Sequence, residues 1–96
     1  MKYVINPDLV WSKAQAYSQL ITFCGHLTCS GHPRVAMCLY SHSMEAIVFV
    51  HSFDELRGIL EVSDKYLSLK WSVDADKPKG GEEGCCWVIF KYVFDD

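Results

Sequence analysis

The chain predicts an α+β fold: an antiparallel sheet of four or five strands with two helices on one face. Three observations carry that expectation. Residues 10–24 place apolar side chains at helical intervals after Asn6-Pro7-Asp8, Ser52 and Glu55 stand at the spacing of a helix capping box, and four other short runs are rich in β-formers. With 96 residues, half of them hydrophobic, the chain suits one core, so residues 1–96 read as a single compact domain.

Taken in order, residues 2–5 form a short first strand. Asn6 is then a candidate helix cap, and Pro7 sits in the first turn, where its missing N–H costs nothing. Val10, Ala14, Tyr17, Ile21 and Cys24 make the buried stripe of the helix that follows. Ser12, Gln15, Gln19 and Thr22 make its polar face, and Gly25 ends it in the left-handed conformation. Residues 34–41 are apolar on both alternating sets and read as a central strand, which hairpins through 41–45 to a buried strand at 46–50. Ser52 and Glu55 start a second helix at Phe53, in which each side chain satisfies the other's orphan backbone N–H. Phe53, Leu56, Ile59 and Leu60 face inward and the end falls near Val62. From Tyr66 to Val73 the period is two, as in a half-buried strand. Residues 74–84, with Pro78 and three glycines, read as an exposed loop, and a long strand at 85–94 closes a hairpin with 66–73.

The expected order is therefore β-α-β-β-α-β-β. Its first six elements match a ferredoxin-like split βαβ arrangement, and the C-terminal strand adds at an edge. No apolar run is long enough to span a bilayer, and Asn6, Pro7 and Asp8 interrupt any signal-peptide core, so the chain reads as soluble and untargeted. Five cysteines, two of them adjacent in an apolar run, suit a reducing, cytoplasmic setting. The net charge of −3 lies wholly in the last third, where eight acidic residues face five lysines. Such a surface disfavours direct contact with nucleic acid or an anionic membrane.

The densest chemistry lies in residues 23–32, where Cys24, His26, Cys29 and His32 are ligand types that zinc prefers. Their spacing departs from the two separated pairs of common structural zinc sites, so a helix end with a core-tethering loop is the first reading and a small zinc-binding domain the alternative. Cys29 or Cys38 beside His32, His42 or His51 would offer a thiolate–imidazole pair, but no local signature flanks any of them, and the chain reads as non-enzymatic and without a cofactor. Over five residues, Lys2 to Asn6 resembles the first-strand motif of RNA-recognition motifs, with Tyr3 at the base-stacking position. The strand at 46–50 lacks the basic residue and paired aromatics such domains use, which points away from RNA.

What remains is a surplus of aromatic surface, thirteen rings in all. Tyr40, Tyr66, Trp87 and Tyr92 are expected on sheet faces that two helices leave uncovered, and exposed Tyr and Trp are the usual anchors of protein interfaces. Asp74, Asp76, Glu82 and Glu83 crowd one hairpin end. Tyr66, Trp87, Tyr92 and these four acids are the expected partner-binding residues. The expected activity is that of an inhibitor or adaptor that occludes a surface of a protein partner, a nucleic-acid-binding protein or complex being one such class. By analogy this includes virus-encoded inhibitors of host defence complexes, and a homodimer is a further way to cover the sheet.

Overall fold

The computed structural model describes residues 7–31, 34–76 and 85–94. Helix α1 (Pro7–Cys29) leads to strands β1 (Val35–Leu39) and β2 (Ser43–Val50). Helix α2 (Phe53–Tyr66) and strands β3 (Ser72–Asp76) and β4 (Cys86–Val93) follow. The strands form one antiparallel sheet in the order β1-β2-β4-β3. Two helices and a four-stranded antiparallel sheet are thus present as expected, but the order differs. Residues 2–5 lie outside the described residues, the described chain begins with a helix, and the split βαβ frame is not reproduced.

The C-terminal strand also corrects the expectation, because β4 lies inside the sheet, paired with β2 on one side and β3 on the other. Its residues explain this. Val88 and Phe90 are fully buried on one face, Trp87 and Ile89 are half-buried on the other, and a strand apolar on both faces gains most where both of its edges are paired. β3 is exposed at every position and carries Asp74 and Asp76, which suits an edge. β1, expected to be central, is the opposite edge.

Helix α1 opens at Pro7 as expected but runs four residues past Gly25. Gly31, with φ +91°, takes the left-handed position instead, and Ser30 and Gly31 donate back to His26, Leu27 and Thr28 carbonyls. Its buried stripe is Ala16, Leu20, Phe23 and Leu27, with Cys24 beside it. The expected stripe of Val10, Ala14, Tyr17 and Ile21 lies about 100° round the helix and is exposed. Both sets recur at intervals of three and four, so spacing does not choose between them. Packing does: Phe23 meets Phe90 edge to face at 4.9 Å, and Met44, Ala46, Val48 and Val50 of β2 complete the core.

Helix α2 starts as predicted, with Ser52 Oγ accepting from the Glu55 N–H at 3.1 Å. The return arm differs by one residue, because Glu55 Oε2 accepts from the backbone of His51 rather than of Ser52. Replacing Ser52 by Ala should cost about 1 kcal/mol, read as a small fall in thermal midpoint, with Ser52→Asp retaining most of the parent stability. Ile59 is buried, whereas Phe53, expected inward, is 71% exposed. The helix continues past Val62 to Tyr66. Leu67, Leu69 and Trp71 do pack on the core, as their alternation predicts, but outside the sheet. Gln19 holds this segment instead. Its Oε1 accepts from the Ser68 N–H and the Trp71 indole N–H, and its Nε2 donates to Ser68 Oγ.

Candidate interaction surface on the open sheet face

Directly paired residues of a sheet share a face, so the burial of Ala46, Val48, Val88 and Phe90 under the helices places their sequence neighbours on the other side. That open face is built in rows. Phe49, Trp87 and Asp76 form one, with Arg34 beside Phe49, and Ala36, Ile47, Ile89 and Asp74 form the next. Cys38, Glu45, Lys91 and Ser72 form a third. Phe49 packs edge-on against Trp87 at 4.7 Å and His51 at 4.9 Å, and the Arg34 guanidinium lies 5.2 Å above the Phe49 ring. Ala36, Ile47, Trp87, Ile89 and Asp76 line a shallow, mainly apolar depression. The depression thus has an apolar centre, two carboxylates on the β3 rim and the Arg34 guanidinium beside Phe49 on the β1 side.

The expected partner-binding residues divide on this frame. Trp87, Asp74 and Asp76 stand together on the open face, while Glu82 and Glu83 lie outside the described residues. Tyr66 does not belong to a strand. It is the last residue of α2, half-buried against the core, and its hydroxyl meets His26 Nδ1 at 3.2 Å. Tyr92 lies on the helix side of β4, where Trp71 and Phe94 flank its ring at 5.4 and 6.0 Å, with the Lys13 ammonium 4.7 Å from the Phe94 ring. Helix α1 and the 67–71 segment therefore cover what the sequence left open. Tyr40 is exposed beyond β1, its hydroxyl held above its ordinary pKa by the hydrogen-bonded Cys38 thiol and then by the nearby Glu45 charge.

Ile47, Phe49 and Ile89 are the surface residues that sequence reasoning missed. Their signal was present, since both alternating sets of 46–50 and 86–93 are apolar while helices lie over only one face.

The Cys/His cluster does not converge. Cys24 points into the core, where burial pushes its thiol from 9.0 up to about 11. His26 is exposed and turned to Tyr66, Cys29 is exposed at the helix end, and His32 lies outside the described residues. Among the described residues no group of three or more His, Cys, Asp or Glu side chains could hold a metal ion. All five cysteines are free thiols. Cys86 is also raised, by burial and then by Cys85, so both shifts run away from the thiolate that a nucleophile needs.

Cys24 makes a pH prediction. The folded chain keeps a proton that the unfolded chain loses above its ordinary pKa of 9.0, so this contribution is complete below pH 9 and is lost as pH rises towards about 11. The loss is on the order of 2 kcal/mol. Denaturant melts at pH 8 and pH 10.5 should show a steeper alkaline decline for the parent than for Cys24→Ala.

No protein-family model, curated protein or solved structure matches this chain. No helix among the described residues is long and apolar enough to cross a membrane.

Proposed function

We propose that the protein is a non-enzymatic binding module that occludes a surface of a macromolecular partner with its open sheet face. The observation that carries this reading is the contiguous set Ile47, Phe49, Trp87 and Ile89 on the side away from both helices, bordered by Asp74 and Asp76. An apolar patch of this kind on a half-covered sheet is a typical site of protein contact. The partner it suits has an apolar centre flanked by Lys or Arg, as a nucleic-acid-binding protein or complex does, and virus-encoded inhibitors of host defence complexes are one class of protein that acts in this way.

The test is capture from an extract of the native source with parent and variants in parallel, followed by binding kinetics on the captured species. Trp87→Ala should weaken binding about 30-fold, mostly through faster dissociation, since a central aromatic anchor contributes about 2 kcal/mol. Asp74→Lys with Asp76→Lys should slow association and flatten its salt dependence. A partner held equally tightly and captured equally fast by all variants, each with parent-like melting, would place the binding surface elsewhere.

A further inference from the structure

The second apolar stripe of α1 lies beside the outer edge of β1, which no strand among the described residues pairs. Tyr40 N–H donates to the Ser43 carbonyl and Phe49 N–H to the Arg34 carbonyl. By the alternation of an antiparallel ladder, Val35, Met37 and Leu39 therefore turn their N–H and C=O groups outward, away from β2. Their side chains lie on the helix side, where Val35 and Met37 share a groove with Ile21, Cys24 and Thr28 of α1. Ile21, Met37 and Leu39 are exposed large apolar side chains at this edge, and Val10 and Tyr17, also exposed, share the side of α1 that carries Ile21. Natural sheet edges are protected by charge, and β3 follows that rule with Asp74 and Asp76. β1, Val-Ala-Met-Cys-Leu, carries no charge at all.

We propose that this edge binds a second copy of the chain, with the two β1 strands antiparallel about a two-fold axis at Met37, joining two four-stranded sheets into one of eight. The edge is complementary to itself. Met37 would exchange both backbone hydrogen bonds with its copy, and Val35 would do so with Leu39 of the other chain. Pairing at about 4.8 Å, with α1 packed over both β1 and β2, brings α1 and its copy to about 10 Å, a normal helix-packing distance. The apolar side of α1 that carries Ile21, the residue beside Met37 at the axis, is then the side turned to the copy. Val10, Ala14, Tyr17 and Ile21 on it carry no charge, so two chains of net charge −3 meet there without apposed carboxylates.

Gly25 belongs to the same picture. Glycine inside a helix is unfavourable, and among the described residues nothing lies within 4 Å of where a Cβ would be. A helix packed closely across the axis would occupy the space that the missing side chain leaves. The exposed apolar side chains on this side and the strand edge amount to at most about 600 Å² per chain, below the ~800 Å² of a standard interface, which suits a reversible dimer. The open face of each copy stays free, so this inference is independent of the proposed function.

Sedimentation velocity on the full chain between about 1 and 100 µM tests the association, a span that brackets a micromolar constant. The parent should pass from monomer to dimer across that range. Met37→Lys, at an exposed edge position, should stay monomeric throughout with a parent-like melt. The register has its own probe, because Ala36 of one chain would lie opposite Cys38 of the other at the close Cα spacing of a non-hydrogen-bonded pair, within disulfide reach. Ala36→Cys should therefore give an oxidised, covalent dimer on a non-reducing gel, and the same variant with Cys38→Ser should not. A parent that is monomeric at every concentration overturns the proposal. So does a dimer that survives Met37→Lys, or an Ala36→Cys chain that cross-links no more than the parent. Trp87→Ala should leave the dimer intact, whereas a dimer lost with Trp87→Ala and kept with Met37→Lys would lie on the open face and overturn this assignment.

Discussion

Replacing Phe90 by alanine is expected to cost about 3–5 kcal/mol and lower the thermal midpoint by more than 10 °C, the largest single effect in the chain. Phe90 is fully buried at the centre of β4, between Ala46 of β2 and Val73 of β3, and its ring meets the edge of Phe23 from α1. Truncation removes the contact that joins the sheet to the long helix and leaves a cavity whose walls belong to three different elements. Phe90→Leu should cost less, about 1–2 kcal/mol, because it returns most of the apolar volume. Val93→Ala, at a half-exposed position three residues on, should stay within about 0.5 kcal/mol of the parent. Similar losses for Phe90→Ala and Val93→Ala in denaturant titrations would show that the core is not where the fold places it.

The second large effect is polar. Gln19→Leu keeps the side-chain volume but leaves the Ser68 N–H and the Trp71 indole N–H without their shared acceptor, at 3.1 and 3.0 Å in the parent, and removes the donor to Ser68 Oγ. Stranded donors cost about 1–3 kcal/mol each when buried, and Trp71 is half-buried while Ser68 is exposed, so a total of about 2–3 kcal/mol is expected. Gln19→Glu keeps an acceptor for both donors and should cost less than half as much. A double-mutant cycle with Trp71→Phe isolates the indole bond, and a coupling of about 1 kcal/mol is its expected size. Additive losses would mean that Gln19 acts only through helix α1 itself.

Gln19 also marks where sequence reasoning stops. It stands on the polar side of the expected stripe, and a glutamine there reads as solvated. Its role appears only when the 67–71 segment, 49 residues and more away in the chain, folds back over α1. The same long-range packing removed Tyr66 and Tyr92 from the candidate surface. Tyr66 extends α2 by four residues past the expected end and turns its hydroxyl to His26, and Tyr92 lies under α1 because β4 alternates with Phe90 and Val88 inward. Trp87 was legible because its parity along β4 is opposite to that of Val88 and Phe90, whereas Asp74 and Asp76, expected in the 74–84 loop, belong to β3 and reach the open face through its pairing with β4. Phe49 and Ile47 share that parity, yet an unbroken apolar run hides which set is covered.

The sequence by itself determined the local elements: the capped start of α2 at Ser52, the start of α1 at Pro7 and the β1–β2 hairpin. Each follows from residues within a turn or a hairpin of one another, where backbone hydrogen bonds and side-chain period leave one answer. The strand that pairs with β4, by contrast, lies at 72–76 and not at the expected 66–73. Only the tertiary structure decided which of the two apolar stripes of α1 is buried, that β4 is central and that β1 is left as an uncharged edge. Those outcomes depend on which surfaces fit together across the whole chain. A rotation of α1 by about 100° exchanges one stripe of apolar side chains for another at similar hydrophobic gain, and the fit of Phe23 against Phe90 selects between them.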